Sequence, residues 1–401
     1  MTVIEAPELF FGHQGLQDPY PLYDRMRADG PVQRIGDSGF YAVCGWNAVV
    51  EAVDRVEDFS SNLTATMVYR EGAVTPLTMA PLDDPSHALA TADDPVHGFH
   101  RKLLLPHLSV KRVRVIEEFA ADAAGRLWEQ NLSHSRIEWM SAVANRLPMM
   151  VVATLLGLPS DDVDTLIRLG YATTTLLDGV VAPEQLQAAG EAALELSGYV
   201  LQHFEKPGSH SGLIADLAAR YASGELEQVP ALGVMLTLFS AAGESTASLL
   251  GSAAWILADK PDVQRRLRDD PTLLEAFIEE TLRFESPFRG HYRHVRRDTT
   301  LGGVAVPADS HLLLLWGAAN RDPAHFEAPD EFRLDRASAK NHLAFGRGVH
   351  FCVGNVLARV EARIILATLL QRTTWIEPAD VGQWLPSILV RRLKHLELEV
   401  S

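Results

Sequence analysis

The stretch His342-Leu343-Ala344-Phe345-Gly346-Arg347-Gly348-Val349-His350-Phe351-Cys352-Val353-Gly354 surrounds one cysteine with residues that could set its chemistry. Two glycines precede Cys352 and one follows it, which permits a tight loop and close backbone approach. An apolar helical pattern then runs through Val356, Val360, Ile364, Ala367 and Leu370. The sulfur should therefore lie near a helix N-terminus, where the dipole and free N–H groups favour thiolate over thiol. One thiolate cannot build a zinc site by itself. The only other cysteine is Cys44, in the strand-like run Tyr41-Ala42-Val43-Cys44, where it reads as a small core residue. Two cysteines in 401 residues exclude a disulfide scaffold. Cys352 is thus either a lone axial ligand, as of a heme iron, or an inert side chain behind a glycine turn.

The longer string Phe-Gly-x-Gly-x-His-x-Cys-x-Gly, complete from Phe345 to Gly354, resembles the heme-ligand signature of the cytochrome P450 family. The resemblance implies heme b (iron protoporphyrin IX) as cofactor and Cys352 as the metal ligand. Other landmarks follow in the family's order. Glu280-Thr281-Leu282-Arg283 places a carboxylate and a guanidinium on one helical face. The resemblance adds Arg336, from Phe332-Arg333-Leu334-Asp335-Arg336, to a structural network with Glu280 and Arg283. Ala319-Asn320-Arg321-Asp322-Pro323 matches a further stretch and reads as a turn. Heme propionates need cationic partners, and four residues match family positions for that role: His97, Arg101, Arg293 and His350. His100 sits off the motif.

The run from Glu227 to Asp259 contains one internal charge, Glu244, in Ala241-Ala242-Gly243-Glu244-Ser245-Thr246. It resembles the family's oxygen-activation motif. Aligned without a gap, Glu244 takes the acidic position and Ser245 the alcohol position, with Ala242 replacing the usual glycine and serine the usual threonine. Thr246 is the alternative hydroxyl. Splitting dioxygen needs two protons delivered into a mostly apolar pocket, which a hydroxyl and a carboxylate relay can supply.

These residues need elements to hold them. The run around Glu244 is long enough for a membrane span, but its glycines, Pro230 and central acid favour a buried helix through a globular interior. Helical patterns also cover Arg114–Asn131, Ala142–Leu156, Ala182–Phe204, Leu213–Ala222, Pro271–Phe284 and Val353–Gln371. Val32–Ile35 and Phe40–Cys44 read as a hairpin. Leu301–Val306 and His311–Trp316 read as strands, and Ser387–Val390 with Leu396–Val400 as a small pair. The expected fold is mainly α with small β-sheets, a single domain over 1–401. The resemblance makes it the P450 fold, a triangular helical prism enclosing heme.

Apolar types make up 47% and charged types 22%, as in ordinary soluble proteins. With 36 basic and 52 acidic residues the net charge is −16, which argues against nucleic acid as a partner. No secretory leader or second apolar span is evident, so a cytoplasmic protein is expected. The resemblance, closest to soluble bacterial, actinobacterial and mycobacterial-like members, implies a monooxygenase acting on an apolar small molecule and leaves that molecule open. With no flavin or nicotinamide fingerprint, electrons must come from a separate donor, and the resemblance implies a ferredoxin and ferredoxin reductase. Arg101, Lys102, Lys111, Arg112, Arg347 and Arg359 are candidates to receive it. A monomer is expected. Substrate contacts are expected from the loop after Ser61, the Leu169–Tyr199 helices, the central helix, Pro287–Tyr292 and the turn near Ser387, with Met67, Phe239, Phe288 and Ile388 as candidates. The rival reading is a heme-thiolate peroxygenase, isomerase or ligand sensor, which would not need the Glu244/Ser245 pair.

Overall fold

The computed structural model describes residues 2–179, 182–205 and 211–401. The helices that carry the site are α1 (Val96–Leu104), α2 (Val110–Asn131), α3 (Arg146–Leu156), α4 (Val163–Thr174), α5 (Pro183–Phe204), α6 (Gln228–Leu238), α7 (Glu244–Asp259), α8 (Leu274–Phe284) and α9 (Asn355–Gln371). Helices α6 and α7 form one rod, joined by a π-turn over Phe239–Gly243. The nearly uncharged sequence of the rod follows from its place. Its α7 half packs with α2, α8 and α9 in one apolar core, and its α6 half with α3, α4 and α5 in another. Among the described residues no helix is long and apolar enough to cross a membrane.

The described strands form four small sheets. β1 (Val32–Ile35) and β2 (Phe40–Val43) form the expected hairpin. β3 (Phe59–Ser60), β4 (His291–Val295) and β5 (His311–Leu314) complete a six-stranded sheet in the order Val3–Ile4, β1, β2, β5, β4, β3. Leu312 lies opposite Arg293 in the antiparallel β4–β5 pair.

Three expectations need correction. Leu301–Val306 is a hairpin rather than one strand: Gly302 and Gly303 take φ of +54° and +80°, which reverses the chain between Leu301 and Val304. Leu396–Val400 pairs with Ile376–Val381 and Arg136–Glu138, not with Ser387–Val390. The latter run is a turn, in which Ser387 Oγ accepts from the amides of Leu389 and Val390 at 3.1 and 2.7 Å. The buried face of α9 runs through Leu357, Glu361, Ile364 and Ile365, leaving Val356 56% exposed. An apolar stripe misplaced that face because a carboxyl occupies its middle.

Candidate active site

The cysteine loop is shaped by its glycines. Gly346 and Gly348 take φ of +68° and +67°, conformations that side chains with a Cβ rarely adopt. The loop then folds back so that the Cys352 amide donates to the Phe345 carbonyl at 2.9 Å. At the start of α9, the Asn355 side-chain amide donates to the Cys352 carbonyl at 2.7 Å. Backbone N–H groups of Gly354 and Asn355, with Arg101 and Arg359, favour the thiolate, but burial outweighs them and raises the thiol above its ordinary value. The helix N-terminus alone therefore does not ionise this cysteine, contrary to expectation. A metal cation against the sulfur would supply the missing compensation. Cys44 differs: burial pushes its thiol up to about 12, and its Sγ faces the carbonyls of Gly30 and Pro31.

Cys352 lines a cavity of about 250 Å³, walled by the cysteine loop, α9 and the central rod. Ala241, Ala242, Ser245, Thr246 and Leu249 face it, one stripe of the rod. His97, Arg101, Arg293 and His350 line it too. Arg293 tests whether this cavity suits an iron porphyrin. It is 7% exposed, and burial lowers its guanidinium to about 10. Its hydrogen bond goes to the Tyr292 carbonyl at 2.7 Å, and no carboxylate pairs with it among the described residues. A buried cation on a cavity wall is costly unless it meets an anion, and a heme propionate is such an anion. The His97 and His350 rings lie 3.9 Å apart. Burial first, then Arg293 and His97, lowers His350 to about 3, and burial also lowers His97. Arg101 donates to the Phe351 carbonyl at 2.8 Å, tying α1 to the cysteine loop. His100 is buried elsewhere, its Nδ1 accepting from the Leu89 amide.

The acid and the hydroxyls of the central motif separate. Glu244, 2% exposed, is not among the cavity-lining residues. Its Oε1 accepts from Arg392 at 3.1 and 3.2 Å, and Oε2 has no hydrogen-bond partner. Burial raises its carboxyl; Arg392 and Thr174 oppose that. Ser245 Oγ donates to the Ala241 carbonyl at 2.6 Å, so its lone pairs are what it offers the cavity. Thr246 Oγ1 has no hydrogen-bond partner among the described residues.

Behind the loop, Glu280 and Arg283 are fully buried and pair in two parallel contacts of 2.8 Å. Arg336 joins them at 3.0 Å through Glu280 Oε1. Arg283 also donates to the Asn320 carbonyl at 2.9 Å, and Asn320 Oδ1 accepts from the Leu343 amide at 2.7 Å. The Asn320 turn, expected to be only a turn, thereby connects the ionic network to the start of the cysteine loop.

Of the substrate candidates, Phe288 lines the cavity. Phe239 belongs to the packed core, as do Met67 and Ile388. Within the Leu169–Tyr199 stretch, Val180 and Val181 lie outside the described residues. Three groups were not singled out by residue in the sequence, although His291 falls within the Pro287–Tyr292 segment. Arg392 lies 148 residues from Glu244 and carries no local signal. His291 lines the cavity, two residues before Arg293 and on the same strand face; its Nδ1 accepts from Trp316 Nε1 at 2.7 Å, and burial lowers it to about 4. Glu361 lines the cavity from α9, and an acid on an apolar helix face was its available signal.

In the cysteine loop and at the start of α9, Val349, Phe351 and Val356 are exposed. Lys102, Lys111 and Arg112 are exposed on α1 and α2 nearby. Arg347 and Arg359 already meet acids, Asp54 and Glu279.

Residues 217–395 match the family model described as Cytochrome P450. Cytochrome P450 144 of Mycobacterium tuberculosis is 62% identical over 404 residues, covering all of this chain and 93% of that protein. Cytochrome P450 monooxygenase PikC of Streptomyces venezuelae is 31% identical, covering 99% of this chain and 95% of its own length. Among solved structures, CYP150A6 of Mycobacterium marinum in its substrate-free form superposes with a TM-score of 0.81 at 31% identity, covering 98% of each chain.

Proposed function

The chain belongs to the cytochrome P450 family and is a heme-thiolate monooxygenase with heme b as cofactor; we propose that it oxygenates an apolar small molecule with electrons from a separate ferredoxin and ferredoxin reductase. When bound, heme supplies the reductive activation of dioxygen, with one oxygen atom going to substrate and the other to water.

In this reading Cys352 would hold the heme iron through its sulfur, kept in place by the Gly346–Gly348 turn and by its amide contact to Phe345. His97, Arg101, Arg293 and His350, which line the cavity, would hold the propionates. The unpaired, buried Arg293 is the observation that carries this assignment. Ser245 accepts a hydrogen bond from the cavity side, since its own proton is engaged by Ala241. Thr246 offers the free hydroxyl. Glu244 exchanges protons behind the rod, gated by Arg392. Glu280, Arg283 and Arg336 fix the platform on which the loop rests. The whole chain, 1–401, works as one domain around the cofactor.

Apolar lining around the hydroxyls, including Leu89, Val152, Leu156 and Phe288, supports an apolar substrate. The exposed Val349, Phe351 and Val356, flanked by Lys102, Lys111 and Arg112, support docking of an acidic electron donor near the cysteine. Screening apolar compounds for shifts of the ferric heme band, then following labelled dioxygen into the product, tests the proposal. Label in the product with electrons from a ferredoxin system is expected. Conversion without incorporated label would overturn it.

A further inference from the structure

Apart from the four residues assigned to the propionates, the polar hydrogens of the cavity wall are mostly engaged within the protein. Thr237 Oγ1 donates to the Gly233 carbonyl at 2.7 Å, and Ser245 Oγ to the Ala241 carbonyl at 2.6 Å. Trp316 Nε1 donates to His291 Nδ1 at 2.7 Å. That last bond fixes a tautomer. An indole N–H only donates, so Nδ1 is the acceptor and the ring proton of His291 sits on Nε2. Burial first, then Arg293, lowers this imidazole to about 4 and keeps it neutral. Nε2 is thus a donor, and it has no hydrogen-bond partner among the described residues.

The surroundings of this donor are apolar. His291 opens β4, two residues before Arg293 on the same strand face, and lines the cavity with Phe288 and Trp316. The Phe288 ring stands edge-on to the imidazole with centroids 5.3 Å apart, and the Trp316 ring lies 5.9 Å away. A donor without a partner in such surroundings costs free energy until an acceptor meets it. Nε2 is not one of the polar atoms sealed inside the protein, so the acceptor reaches it through the cavity. Two oxygen acceptors can come that way, a heme propionate or an oxygen of the substrate. The propionate is the better match for Arg293, a buried cation without a carboxylate, because charge-assisted bonds are about twice as strong as neutral ones. A neutral imidazole between two apolar rings is the better match for a neutral oxygen on an apolar molecule.

We propose that His291 is a specificity-determining residue whose Nε2–H donates to a carbonyl oxygen on an otherwise apolar substrate, with Trp316 as the positioning residue that fixes its tautomer. This names the substrate class of the monooxygenase reading above and rests on that reading.

The test follows shifts of the ferric heme band in heme-loaded enzyme with paired probes that differ by one carbonyl: 4-phenylcyclohexanone and phenylcyclohexane, 2-adamantanone and adamantane, 2-decanone and decane. Wild-type protein must first show the thiolate-type carbon-monoxide spectrum; its absence would sink the monooxygenase reading and this inference with it. With that spectrum in place, His291→Phe is expected to weaken ketone binding about fivefold, the usual worth of a neutral hydrogen bond, and to leave hydrocarbon binding within about twofold. His291→Gln, which keeps an N–H donor, should hold much of the ketone affinity. Trp316→Phe, which frees the tautomer, should weaken ketones more than hydrocarbons. Ketone binding unchanged in His291→Phe, or no ketone that shifts the band in wild type, would overturn the proposal. Equal weakening of ketone and hydrocarbon, with faster heme transfer to an apoprotein acceptor, would give the donor to a propionate and overturn it too. Should His291→Phe not retain heme, Trp316→Phe decides: equal effects on ketone and hydrocarbon there end the proposal.

Discussion

Arg392 closes on Glu244 from the far end of the chain, with both Nε and a terminal nitrogen donating to one carboxylate oxygen at 3.2 and 3.1 Å. The acid of the central motif is thereby held behind the rod by a cation, while the hydroxyls beside it face the cavity. Residues adjacent in sequence serve opposite sides because successive positions on a helix point about 100° apart.

Removing the cation leaves a buried acid alone. Arg392→Leu should lower stability by about 3–5 kcal/mol at neutral pH, the usual cost of breaking a buried pair. Glu244 already sits above its ordinary value of 4.5. A raised carboxyl binds more protons folded than unfolded, so its contribution weakens as pH rises from 4.5 through the folded value. Without Arg392 that window extends upward, and the loss should shrink at acidic pH. Thermal melts of Arg392→Leu across pH check this. An equal loss at every pH would refute it.

The Glu280, Arg283 and Arg336 network should be intolerant of partial removal. Arg283→Lys cannot reproduce two parallel contacts to Glu280 together with bonds to the Asn320 and Pro329 carbonyls. The expected outcome is destabilisation by about 3 kcal/mol or more, together with faster heme loss, since Asn320 links this cluster to Leu343. Denaturant melts and transfer of heme to an apoprotein acceptor measure the two effects. Normal heme retention at reduced stability would break the proposed link to the loop.

Histidines should govern the acid limb of the heme-free protein. His350 is lowered from 6.5 to about 3 and His291 to about 4. Below 6.5 the unfolded chain takes up protons that these folded histidines refuse, so stability falls with pH until the folded values are reached. Each histidine contributes up to ~1.4 kcal/mol per pH unit in that window. His350→Phe should flatten the slope of melting temperature against pH between 6.5 and 3. An unchanged slope would show that His350 is not held neutral.

Charge reversal near the cysteine face should affect electron delivery alone. Lys102→Glu and Arg112→Glu are expected to slow reduction by a ferredoxin severalfold, most at low salt, with an unchanged carbon-monoxide spectrum. Arg347→Gln should matter less, since Asp54 already meets that charge. Stopped-flow reduction at two ionic strengths makes the comparison. No salt-dependent difference between Lys102→Glu and wild type would move the docking surface elsewhere.

Local pattern was enough to read the helical fold, the cysteine loop and the Glu280–Arg283 face, because a glycine turn, an uncharged run and an i, i+3 spacing each have a short-range physical cause. What escaped were pairings set by topology. Arg392 meets Glu244 only once the C-terminal turn packs on the rod. Glu361 was hidden by the assumption that α9 buries an apolar stripe, and Asn320 by the ordinary look of an Asp-Pro turn. Leu301–Val306 was misread because the two glycines at its centre were counted as strand.

The central claim is that Cys352 is the thiolate ligand of a heme. The most direct measurement is the carbon-monoxide spectrum of the reduced, heme-loaded protein beside that of Cys352→Ala. The expected result is the strongly red-shifted Soret band of thiolate ligation in the wild type and its absence in the variant. A wild-type band at the position of an imidazole-ligated heme, or a red-shifted band that survives Cys352→Ala, would contradict it.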